Sequence, residues 1–114
     1  MRNIETLHFI AKLASDRDDE RRYRIGALGV RKDGTTVFSQ NGPALDKCPR
    51  IHAEFRLSEK LDVGSRVWVA RLAANGELAM AKPCRNCERI LRIRGVYRVI
   101  YSVAPNEFGV IYLK

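Results

Sequence analysis

Ile4, Leu7, Ile10, Ala11 and Ala14 recur three and four positions apart, so residues 3–15 read as an amphipathic helix with one buried face. The charge run DRDDERR at 16–22 ends that pattern and reads as a solvated connection. YRIGALGVR (23–31) and TTVFSQ (35–40) are rich in β-branched and apolar residues and flank a Lys32-Asp33-Gly34 turn, which predicts a β-hairpin. Gly42, Pro43 and Pro49 mark 41–50 as a loop leading into a helix over 51–62. RVWVARL (66–72) predicts a strand, Ala74-Asn75-Gly76 a turn, and ELAMAK returns the chain toward Pro83. A further helix over 84–94 is closed by Gly95, a residue suited to a C-terminal cap. Strands at 96–103 and 108–113 are joined only by Ala-Pro-Asn-Glu, too short for a parallel crossover, so they are expected to pair antiparallel.

The element order α-β-β-α-β-α-β-β predicts an α/β fold: one domain over residues 1–114, with a mixed five-stranded sheet covered by helices. The strands at 66–72 and 96–103 are expected near its centre. If the second and third strands are neighbours, the helix starts near 52 and 84 open on the same edge of the sheet, where α/β proteins commonly place ligands.

Composition narrows the function. Apolar residues at 46% and charged residues at 30% are ordinary for a soluble globular chain. The first residues carry neither a bilayer-length apolar run nor a cleavage-site pattern, so the expectation is a cytoplasmic protein with no membrane partner. Lys and Arg number 21 against 13 Asp and Glu, a net charge of +8. Such a surplus makes nucleic acid or a phosphorylated small molecule a natural partner, although basic charge also serves solubility alone. Three cysteines, two of them in a C-x-x-C pair, fit metal binding or a reducing compartment better than a disulfide scaffold.

Cys84 and Cys87 share one face of a helix start, where the positive end of the helix dipole favours the thiolates that a metal needs. His52, at the start of the preceding helix, can supply a third ligand. Thiolate and imidazole together suit one Zn²⁺ ion in tetrahedral geometry, with the fourth position left to water. A closed alternative adds Cys48, four residues before His52, to give a purely structural Cys₃His site. That alternative leaves Glu54 without a role. A thioredoxin-like redox pair would leave both His52 and Glu54 unexplained.

His52-Ala53-Glu54 followed by Pro83-Cys84-Arg85-Asn86-Cys87, with Asn41-Gly42-Pro43 upstream, resembles the zinc-dependent cytidine deaminase superfamily, whose signature is H-x-E followed by P-C-x-x-C. The resemblance runs along almost the whole chain in element order. It implies that His52, Cys84 and Cys87 hold zinc, that the metal activates a water for attack on an aminated base, and that Glu54 shuttles the protons. Taken alone, Glu54 would be an ordinary first-turn carboxylate complementing the helix dipole. Asn41 matches the position that contacts substrate and also suits the turn before Gly42. Ala53 resembles the residue whose backbone amide faces the base.

Arg85, Arg89 and Arg92 fall at i, i+4 and i+7, a basic stripe that either tracks a phosphate backbone or forms the helix's solvated face. Tyr101, Phe108, Tyr112 and Trp68 read as core or sheet packing. Relatives acting on polynucleotides typically insert a helix before the last strand, which this chain lacks, whereas the charge of +8 favours a polymer. The reading places cytosine in single-stranded DNA or RNA narrowly ahead of a free cytidine nucleotide, with a zinc-containing module that binds without turnover as the third reading. The short chain is compatible with an open cleft or with a homo-oligomer.

Overall fold

The computed structural model describes residues 2–15, 25–41, 52–73 and 75–113, apart from the side chains of Ser15 and Phe55. Its elements are α1 (Asn3–Ser15), β1 (Ile25–Val30), β2 (Thr36–Gln40), α2 (Ala53–Ser58), β3 (Arg66–Leu72), β4 (Leu78–Ala79), α3 (Arg85–Ile93), β5 (Arg98–Ala104) and β6 (Glu107–Tyr112). The strands form one mixed sheet in the order β2-β1-β3-β5-β6, with β4 attached to β3. β3 and β5 run parallel at the centre, and the other pairings are antiparallel, β5 with β6 included.

Alternation along β3 divides the core. Val67 and Val69 face α2 and α3 together with Leu57, Leu91 and Val99, whereas Trp68 and Ala70 face α1 together with Leu7, Ile10 and Ile100. Gly26 permits the close approach of α1, since a Cβ there would sit 2.7 Å from the backbone oxygen of Ile10. α3 ends in a Schellman motif: Gly95 adopts φ 86°, Val96 N donates to Leu91 O, and Gly95 N donates to Arg92 O.

Three expectations change. The sheet has six strands because Leu78 and Ala79 form a two-residue strand opposite Leu72 and Arg71. α2 is shorter than the 51–62 span: Lys60 N and Leu61 N bond back three residues to Leu57 O and Ser58 O, and the chain turns through Gly64 at φ 90°. β2 and β3 are not neighbours, because β1 lies between them, antiparallel to both. Two reversals leave β2 and β3 pointing the same way, so Gln40 and Ala70, both opposite Gly26, lie toward one sheet edge.

Candidate metal centre

α2 and α3 start near that edge. His52 is the N-cap of α2 in extended backbone geometry, and its ring makes no capping hydrogen bond. Cys84 is the N-cap of α3, where its Sγ accepts from Cys87 N at 3.5 Å. Cys87, one turn further on, is fully buried, whereas Cys84 is exposed.

The Cys84 end of α3 is positioned by β4. At its C-terminal end β3 pairs with β4, and β4 is fastened to β5 by Ser102. The buried Ser102 Oγ donates to Ala79 O at 2.6 Å, and Ser102 O accepts from Ala81 N at 2.9 Å. The chain then reaches buried Pro83 and Cys84 within a few residues. Sequence reasoning missed Ser102, because nothing in SVAP distinguishes a stitch between strands from an ordinary strand serine.

The three candidate ligands converge. His52 Nδ1 lies 3.2 Å from Cys87 Sγ and 3.5 Å from Cys84 Sγ, and all three donor atoms fall within 4.8 Å of one another. Zn–N and Zn–S bonds of about 2.0 and 2.3 Å at tetrahedral angles place N and S ligands about 3.5 Å apart. The donor set and its spacing therefore fit a zinc ion. Cys48, the fourth donor of the closed alternative, lies outside the described residues, as do Gly42 and Pro43.

Glu54 lies in the first turn of α2, two residues beyond His52, and is 5% exposed. Burial pushes its carboxyl up to about 7 from an ordinary 4.5, against a smaller opposing effect from its own backbone hydrogen bond. Ala53 is fully buried among the residues packing α2 on the sheet. Asn41 follows β2, with its Oδ1 accepting from Ile25 N at 2.9 Å and its own N donating to Ile25 O at 3.2 Å, so it closes the end of the hairpin. Arg85, Arg89 and Arg92 are all exposed on α3, opposite the face that buries Cys87 and Leu91. Trp68 is buried and donates from Nε1 to Asn3 Oδ1 at 3.1 Å, and Tyr101 packs over Gly109. Phe108 and Tyr112, read from sequence as packing residues, are instead exposed.

No protein-family model matches the sequence, and no curated protein matches it. Solved structures do. A cytidine deaminase from Burkholderia pseudomallei aligns at a TM-score of 0.64 with 18% identity, covering 96% of this chain and 91% of that one. A dCMP deaminase from the cyanophage S-TIM5 aligns at 0.56 with 23% identity, covering 86% and 80%. The chain thus has the cytidine-deaminase-like fold. Among the described residues, no helix is long and apolar enough to cross a membrane.

Proposed function

We propose that this protein is a zinc-dependent hydrolytic deaminase converting cytosine to uracil in a free cytidine or deoxycytidine nucleoside or nucleotide. The observation that carries the reading is the convergence of His52, Cys84 and Cys87, with the buried Glu54 two residues after His52 in the first turn of α2. His52, Cys84 and Cys87 would hold the zinc, which would supply a Lewis acid for activating water near neutral pH. Glu54 accepts one proton from the attacking water and passes it to the ring nitrogen, then takes the second from the hydroxyl added to the ring carbon and gives it to the amine, which leaves as ammonia as the carbonyl forms. Burial of its carboxyl favours the protonated form and opposes the pull of a cation, which helps the shuttle return its proton.

The monomer reading is favoured over a polynucleotide substrate by β6, which returns antiparallel to β5 through a turn at Pro105 and Asn106 with no intervening helix. The two solved structures described above are named for a nucleoside and a nucleotide. A second reading, cytosine within single-stranded DNA or RNA, draws support from the exposed Arg85, Arg89 and Arg92 and the net charge of +8. A binding module without turnover would leave a buried carboxylate next to a metal ligand with nothing to do.

The test is to incubate zinc-loaded protein with cytidine, dCMP and single-stranded DNA and RNA, following the deaminated base by mass. Uracil from the monomers is expected. Deamination of polymers alone would establish the second reading, and zinc-loaded protein inert on every substrate would overturn the deaminase. Cys48→Ala should retain one zinc per chain; loss of the metal would point to the closed Cys₃His site.

A further inference from the structure

α1 packs mainly on β1 and β3 of its sheet face and reaches β5 through the buried Ile100, whereas among the described residues Phe108, Val110 and Tyr112 of β6 on that face stay exposed. On that face the registers align side chains from three strands. Arg66 stands opposite Arg98, and Arg98 opposite Tyr112; Ile100 stands opposite Val110, and Ser102 opposite Phe108. Tyr112 is 60% exposed and Phe108 42%, and Tyr97 meets Tyr112 edge to face at 6.1 Å between ring centres. Beyond Phe108 a cavity of about 610 Å³ is lined by Arg2, Asn3, Ile4, Glu5 and Asn106.

Like charges placed directly opposite on paired strands repel. The Arg66 guanidinium lies 5.8 Å above the Trp68 ring, and Arg98 Nε is buried with no hydrogen-bond partner among the described residues. An anion docked beside these two arginines balances their like charge. A second copy of this chain would bring more arginine to the same place. Phe108 and Tyr112 lie four residues apart on one strand, about 13 Å. One nucleotide cannot reach both rings and the arginines, whereas a chain of nucleotides can.

We propose that the exposed β6 side of this face, through Phe108, Tyr112, Arg66 and Arg98, is a docking surface for single-stranded nucleic acid. Unpaired bases stack on the two rings, and the phosphates at the Tyr112 end lie against the arginines. The surface lies on the opposite face of the sheet from α2 and α3 and does not depend on the deaminase reading.

The experiment titrates a fluorescent short oligothymidylate, which has no exocyclic amine to remove, into zinc-loaded protein and reads anisotropy at several salt concentrations. Wild type is expected to bind, more tightly than it binds the matching duplex and more weakly as salt rises. Phe108→Ser and Tyr112→Ser should each weaken binding about five- to tenfold. Arg98→Gln should weaken binding and reduce the salt slope by about one phosphate. Both aromatic positions are exposed, so their variants serve even if Arg98→Gln does not fold, and cytidine deamination should be unchanged in all three. Unchanged affinity in both aromatic variants overturns the proposal. So does loss of binding only in Arg85→Gln or Arg89→Gln, equal binding of duplex, or a wild-type dimer that Tyr112→Ser converts to monomer.

Discussion

His52 Nδ1 and Cys87 Sγ face each other at 3.2 Å although 35 residues separate them along the chain. Because one residue heads α2 and the other lies in the first turn of α3, the centre couples the two helices on that side of the sheet. Zinc should therefore bind in a ratio of one per chain, and His52→Ala or Cys87→Ala should abolish it. Elemental analysis of purified protein reads the first outcome. A fall in melting temperature on chelation reads the coupling to stability.

Glu54 supplies no ligand atom in the centre described here. Glu54→Gln keeps the size of the side chain and removes its proton affinity, so zinc content should be unchanged while turnover falls at least about a hundredfold. Retained turnover in a zinc-replete variant would remove the proton shuttle from the mechanism.

The same carboxyl makes the stability of the metal-free protein depend on pH. Between 4.5 and about 7 the folded chain holds a proton that the unfolded chain has released. Stability should therefore decline as pH rises through that window and level off above it, by about 3 kcal/mol in total. In metal-free Glu54→Gln that decline should vanish, which urea unfolding at pH 5 and pH 8 would measure.

Ser102 holds the last stretch before the thiolates. Ser102→Ala leaves Ala79 O without its 2.6 Å donor, at a cost of about 1–3 kcal/mol. If Ser102 positions Cys84, the variant should also bind zinc more weakly, as competition with a chelator would show. A loss of stability with unchanged zinc affinity would confine Ser102 to the sheet.

Gly26→Ala tests the contact between α1 and the sheet. Its new methyl would meet both the backbone oxygen and Cγ2 of Ile10 at 2.7 Å, so one element must shift, at about 1–3 kcal/mol. Gly76→Ala is strained for another reason, its positive φ of 84°, and has no neighbour within 4 Å. Gly76→Asn, which tolerates that backbone region, should be close to neutral in the same unfolding measurement.

The elements whose periodicity is decided locally were legible in the sequence. The spacing of Ile4, Leu7, Ile10 and Ala14 gives α1 its bounds, and the apolar run at 66–72 gives those of β3. Pairing is a tertiary property, so the interposition of β1 between β2 and β3, the opposition of Arg66 and Arg98, and the two residues of β4 left no periodic trace. The metal donors were readable because the chemistry demands particular residue types at fixed spacing. The neutral-range carboxyl of Glu54 was not, since it depends on how completely its neighbours exclude water. Phe108 and Tyr112 were misread because alternation in an edge strand does not say whether anything covers the outer face.

The link from β4 to α3 has a consequence for how this scaffold tolerates change. Ala79 and Ala81 are both tied to Ser102, so only Lys82 and Pro83 lie between that anchorage and the first thiolate. The hairpin tip at Asn75 and Gly76 points outward and can lengthen or shorten without disturbing the centre. A single residue inserted at 82–83 would leave the sheet intact and carry both sulfurs out of register with the imidazole. Variation in length is thus open at one end of this short strand and closed at the other.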